Sequence, residues 1–85
     1  MNWIDEAITK AGGRAALARL LGVSNQAVTF WADGVRTPDP ETCSTLDVAL
    51  GVRRWRIRPH DWHRIWPELI GAKGAPKVPE QAAAG

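Results

Sequence analysis

The stretch Arg14–Asp33, RAALARLLGVSNQAVTFWAD, constrains the fold more than any other part of the chain, because it spells two short helices joined by one tight turn. Leu17, Ala18 and Leu21 stand at helical spacing before Gly22, and Val28 and Trp31 do so after Ser24, so both segments turn an apolar face to a common core. The small Ala18 faces the partner helix where a bulky side chain would push the pair apart. Gly22 permits the backbone geometry of the turn, Val23 plugs the space between the helices, and Ser24 caps the second helix.

Local signals extend the pattern on both sides. Asn2 reads as an N-cap, Asp5 and Glu6 favour the positive end of a helix dipole, and Ile4, Ala7, Ile8 and Ala11 form an inward stripe that stops at Gly12-Gly13. Helix two is predicted from Arg14 to Leu21 and helix three from Asn25 to Asp33, with Gly34 as the stop. Asp39 reads as a cap and Pro40 as a first helical residue, where its missing N–H costs nothing. Helix four then runs Pro40–Leu50, with Cys43, Leu46, Ala49 and Leu50 inward, and Gly51 ends it.

Beyond Gly51 the period changes. Arg54, Arg56 and Arg58 alternate with Trp55 and Ile57, which predicts a short extended segment near 53–58 with one wet and one dry face. Trp62, Ile65, Trp66, Leu69 and Ile70 then form an amphipathic helical stripe that Pro67 interrupts, giving a fifth helix from Pro59 to Trp66. From Gly71 onward the chain reads GAKGAPKVPEQAAAG, and its three Gly and two Pro with almost no large apolar side chain predict a disordered tail. The expected organisation is one all-α domain over residues 1–70 and a flexible tail over 71–85.

An 85-residue chain lies near the lower limit for a single unaided core. Five tryptophans, Trp3, Trp31, Trp55, Trp62 and Trp66, offset a small aliphatic inventory. The net charge of +2 is modest, so any argument about partners rests on where the charges lie. A lone Cys43 excludes an internal disulfide and fits a reducing compartment, where it reads as a small buried helix residue. No signal peptide or membrane-spanning run is visible, which predicts a cytoplasmic protein with no membrane partner.

The run Gly12–Trp31 follows the pattern GGxxALAxxLGVSxQAVxxW, and the chain thereby resembles the repressor and Cro-like family, most closely the small prophage regulators called YdaS or Cro-like. The likeness continues through Pro40-Glu41-Thr42-Cys43 and Arg58-Pro59, so it covers residues 1–70. It implies a five-helix, lambda repressor-like helix-turn-helix domain that binds double-stranded operator DNA as a homodimer, without a cofactor, in the bacterial cytoplasm at the nucleoid. Two positions depart from the pattern. Arg14 stands where glutamine is frequent in relatives, and Phe30 stands where a polar residue is common.

Advancing about 100° per residue from Asn25 sets Asn25, Gln26, Thr29, Phe30 and Asp33 on one arc of helix three, with Ala27, Val28 and Trp31 opposite. In the family this helix lies in the major groove, so the polar arc is the one offered to bases. The amides of Asn25 and Gln26 suit adenine N6 and N7, and Thr29 suits a base edge or a thymine methyl. Phe30 either packs on a thymine methyl or folds back onto the Trp-rich surface. Because helix three carries no Lys or Arg, phosphate affinity falls to Arg14 and Arg36 on either side, with Ser24 and Thr37 adding hydroxyls.

The basic run Arg53, Arg54, Arg56 and Arg58 admits a structural role, at a dimer edge, or direct phosphate contact; the structural role is expected. Trp55, Ile57, Ile65, Trp66 and Leu69 form the expected dimer or partner surface, the rival being that they cap the monomer's own core. His60 and His63 stand three apart, but nothing at suitable spacing completes a tetrahedral metal site, so solvated or capping roles are expected. No nucleophile stands beside a base and no phosphate-binding glycine loop follows a strand, so the chain is not expected to be an enzyme. The function expected is sequence-specific transcriptional regulation. The alternative is an antitoxin or protein-interaction module whose C-terminal tryptophans dock a toxin.

Overall fold

The computed structural model describes residues 2–78 of the chain. Asn2 opens the first helix by accepting the Asp5 N–H at 2.9 Å on its Oδ1, and α1 runs Trp3–Ala11. The Gly12-Gly13 pair takes positive φ angles of 94° and 128°, a reversal that strains any residue with a Cβ. It allows α2 (Arg14–Leu21) to fold straight back on α1. Gly22, at φ 68°, makes the next turn, and Val23 seals it by donating its N–H to the Ala18 carbonyl at 3.0 Å. Ser24 Oγ accepts the Ala27 N–H at 3.1 Å and starts α3, Asn25–Ala32. Such a cap contributes about 1 kcal/mol, which matters to an eight-residue helix that would not form alone.

Pro40 begins α4 (Pro40–Leu50) at its first turn. Asp39 stands at the N-cap position without accepting a backbone N–H on its side chain; its Oδ1 instead accepts the Thr42 hydroxyl. Thr42 is thereby drawn into the interior, whereas Ala49, expected inward, is exposed. The core runs through all four helices: Ile4 and Ala7, Leu17 and Ala18, Val28 and Trp31, Cys43 and Leu46. Trp3 lies over Trp31 with ring centroids 6.3 Å apart.

After Gly51 the structure departs from the expectation of an extended segment near 53–58. Arg54–Ile57 form a short helix, α5, and no strand occurs among the described residues. An isolated strand leaves its backbone N–H and C=O groups unpaired, and the described residues supply no partner strand to take them. The helical turn satisfies them locally, with Arg56 N donating to Arg53 O and Arg58 N to Arg54 O, both at 3.0 Å. The fifth predicted helix also shortens. Residues 59–61 form a turn, α6 spans Trp62–Ile65, and a single 3-10 turn covers Pro67–Leu69. The helices α5 and α6 each end at the residue before a proline, Arg58 before Pro59 and Trp66 before Pro67, where helical backbone geometry is disfavoured. The domain is therefore all-helical, with six α-helices among the described residues.

These C-terminal pieces close the core. Val52, Ile57, Trp62 and Trp66 join the buried set, and Trp62 is fully enclosed with the Trp55 ring against it at 6.0 Å. Ile57 and Trp66, expected on a dimer or partner surface, thus lie inside the chain's own interior, because four helices alone leave the α4 side of the core uncovered. Trp55, Ile65 and Leu69 are half-buried. The tail is also better organised than its composition predicts over residues 71–78. It turns twice, Ala72 N bonding Leu69 O at 3.0 Å and Ala75 N bonding Ala72 O at 2.9 Å, and Ala75 packs against the core. Local backbone bonds and this one contact offset ordering costs that side-chain burial alone does not meet. The rest of the expected tail, residues 79–85, lies outside the described residues. No helix among the described residues is long and apolar enough to cross a membrane.

Candidate nucleic-acid interface

Helix α3 is divided along its length. Val28 and Trp31 are buried, which fixes its rotation on the core, and Asn25, Gln26 and Asp33 are exposed on the opposite arc. Asn25 and Gln26 make no side-chain hydrogen bond within the chain among the described residues, so both amides keep their full donor and acceptor set for an outside partner.

Thr29 is placed differently. Its Oγ1 donates to the Asn25 carbonyl at 3.2 Å and accepts from Arg14 Nη1 at 3.4 Å. The hydroxyl is engaged on both sides, which leaves the methyl group as the free part of the side chain. The second of these bonds brings Arg14, from the first residue of α2, onto the polar arc of α3. Arg14 was expected as a flanking residue and instead lies against the helix it flanks.

The other end is shaped by Gly34. Its φ of 75° folds the chain back on the last turn of α3, so that Val35 N and Arg36 N both donate to the Phe30 carbonyl, at 2.9 and 3.4 Å. This return lays the Arg36 guanidinium over the Phe30 ring at 5.2 Å from its centroid. Phe30 is half-buried, and its outer face is shared with a cation. Thr37 is exposed beside Arg36, and Ser24, while capping α3, retains its own O–H as a donor.

Between α3 and the returning loop lies an open cleft of about 440 Å³, lined by Ser24, Gln26, Phe30, Arg36, Thr37 and Asp39 among others. Its far wall is held by Pro38, which is fully buried. The Pro38 carbonyl accepts from Arg58 Nη1 at 2.7 Å and from Cys43 Sγ at 3.5 Å. Neither Pro38 nor Arg58 was singled out in the sequence as a support of this cleft. The available signal was the spacing of Arg58 and Asp61, three apart, which suits an ion pair on one turn.

The four arginines of the basic run are each spoken for. Arg53 and Arg54 both meet Asp47, at 3.2 and 3.1 Å, Arg56 meets Glu6 at 2.9 Å, and Arg58 meets Asp61 at 2.8 Å. The Arg56 hydrogen bond holds the Glu6 carboxyl below the usual carboxylate range, and the Arg58 hydrogen bond does the same to Asp61. Arg53 also lies over the Trp55 ring and Arg54 over the Trp66 ring. By contrast Arg14, Arg19, Arg36 and Arg64 meet no carboxylate among the described residues. Two of those four, Arg14 and Arg36, rest on α3 itself. His60 is exposed, whereas His63 is only 7% exposed, edge-on to Trp62.

The family model described as "Bacterial toxin YdaS" matches residues 4–65, from the first core residue of α1 to the end of α6. The chain belongs to the YdaS family. A curated relative, the "Putative transcriptional regulator YdaS" of Escherichia coli (strain K12), is 43% identical over 44 residues, covering 52% of this chain and 45% of the relative. The chain thus spans less than half the length of that YdaS protein. No solved structure matches it.

Proposed function

We propose that this YdaS-family chain is a non-enzymatic, sequence-specific DNA-binding regulator of transcription, with a lambda repressor-like helix-turn-helix whose second helix, α3, enters the major groove. The observation that carries the reading is the pairing of two free amides, Asn25 and Gln26, with two carboxylate-free guanidinium groups, Arg14 and Arg36, on one outward face of α3. Amides distinguish base edges, and guanidinium groups hold phosphates at either side of the groove. Ser24 and Thr37 add hydroxyl donors to the same backbone contacts. The name of the Escherichia coli relative supports regulation of transcription.

A module this small covers little DNA, so the working form is a homodimer on two half-sites about 34–36 Å apart. The C-terminal face supplies the apolar side chains for it: Ile65 and Leu69 are half-buried and Ile70 is 50% exposed. A bound dimer would cover a promoter and exclude polymerase, the action of a Cro-like prophage repressor in the cytoplasm. The toxin in the family's description favours a second reading, in which the same C-terminal face docks a partner protein of a toxin–antitoxin pair.

Selection of bound duplexes from a random pool tests the first reading. An enriched motif with two-fold symmetry and half-sites one helical turn apart is expected. Recovery of no motif in dilute buffer, where phosphate contacts are strongest, would remove it in favour of the second.

A further inference from the structure

We infer that Phe30 is a positioning residue, which acts by holding Arg36 for a DNA phosphate and not by touching a base; the inference rests on the DNA-binding reading above. The geometry has three parts. The Gly34 turn sends two backbone N–H groups, of Val35 and Arg36, to the single backbone carbonyl of residue 30, so the Arg36 backbone is tied beside the residue that carries the ring. The guanidinium then lies 5.2 Å from the ring centroid, within the distance at which a cation is attracted to an aromatic face. The ring is half-buried, so the face that Arg36 covers belongs to the outward part that a thymine methyl would need.

The two uses of Arg36 do not compete. Its five N–H donors lie in the plane of the guanidinium, which suits a bidentate phosphate contact, while the stack occupies its face. An exposed arginine loses rotamer freedom when it binds, and a stack formed beforehand removes part of that loss. Phe30 and Arg36 also line the same cleft as Ser24 and Thr37. The departure from a polar residue at Phe30 is thereby explained on a helix that carries no cation of its own.

The test is a double-mutant cycle on the full chain, with the duplex it selects from a random pool and an unselected duplex of equal length as probes. Phe30→Leu is expected to weaken both by the same factor, about two- to five-fold, and Phe30→Tyr and Phe30→Trp to restore affinity. In an Arg36→Ala background, whose salt dependence is flattened by about 0.9 in slope per contact, Phe30→Leu should cost nothing further. Nuclear magnetic resonance of the free chain adds a readout without DNA: the Arg36 δ-methylene protons should show a ring-current shift that Phe30→Leu abolishes. Equal Phe30→Leu costs in both backgrounds, or a loss reproduced by replacing one thymine with deoxyuridine, would overturn this role and leave the DNA reading standing. Absence of the ring-current shift would do the same. Failure of the wild-type chain to bind any duplex would remove both.

Discussion

Arg58 donates from Nη1 to the Pro38 carbonyl at 2.7 Å while its Nη2 meets Asp61 at 2.8 Å. One side chain thus ties the turn before α6 to the loop that carries Arg36 and Thr37. A hydrogen bond from a charged donor contributes about 1.5–3 kcal/mol. Arg58→Ala is expected to lower stability by about that amount, read as a drop in the urea midpoint, and to weaken DNA binding through the loosened loop. Arg58→Lys should rescue little, because an ammonium cannot reproduce the fork. Wild-type stability in Arg58→Lys would refute the bridging role.

The same pair gives a pH dependence. Its Arg58 hydrogen bond lowers the Asp61 carboxyl's pKa in the folded chain, so the unfolded chain holds the proton more tightly. The stabilisation is therefore complete above the unfolded value of about 3.9 and is lost as pH falls through the lower folded value. Glu6 acts in the same sense through Arg56. Urea midpoints between neutral and acid pH should fall most steeply below the ordinary carboxylate range, and less steeply in Arg58→Ala. Identical slopes in the two proteins would count against the pair.

Gln26 and Arg14 should separate reading from holding. Gln26→Ala is expected to lose discrimination at one base position, by about 1–3 kcal/mol, whereas Arg14→Ala weakens all sequences alike and reduces the salt slope by about one. Binding titrations at several salt concentrations, with matched and single-mismatch duplexes, measure both effects. If the two variants behave alike, the roles assigned to them are wrong.

Removal of everything after Gly51 strips Val52, Ile57, Trp62 and Trp66 from the interior. The shortened chain is expected to lose cooperative unfolding, since Trp→Ala at even one such site costs about 3–5 kcal/mol and small domains have only 5–15 kcal/mol in total. Circular dichroism against urea checks this. A sharp transition in the shortened chain would mean that the first four helices suffice.

The first four helices were legible because their signals are local. Asn2, Ser24 and the turn glycines mark boundaries, and the inward positions of α1 to α3 follow a 3.6-residue period that each helix expresses alone. The divided surface of α3 could be read for the same reason. What could not be read is long-range. The alternation Arg54-Trp55-Arg56-Ile57 suits a strand as well as a single helical turn, and the choice was made outside the segment, by Asp47 in α4, by Glu6 at the other end of the chain and by the want of a partner strand among the described residues. The Arg36–Phe30 stack depends on how Gly34 returns the chain, which no periodicity reveals.

Cys43 lies fully buried beneath the Pro38 loop, with its Sγ directed to the Pro38 carbonyl, and burial pushes the thiol up to about 11. At neutral pH it stays protonated and unreactive, so an alkylating reagent reaches it only when the loop lifts. Modification kinetics at this one sulfur therefore clock the breathing of the segment that carries Arg36 and Thr37, and a duplex clamped across that segment should slow the clock.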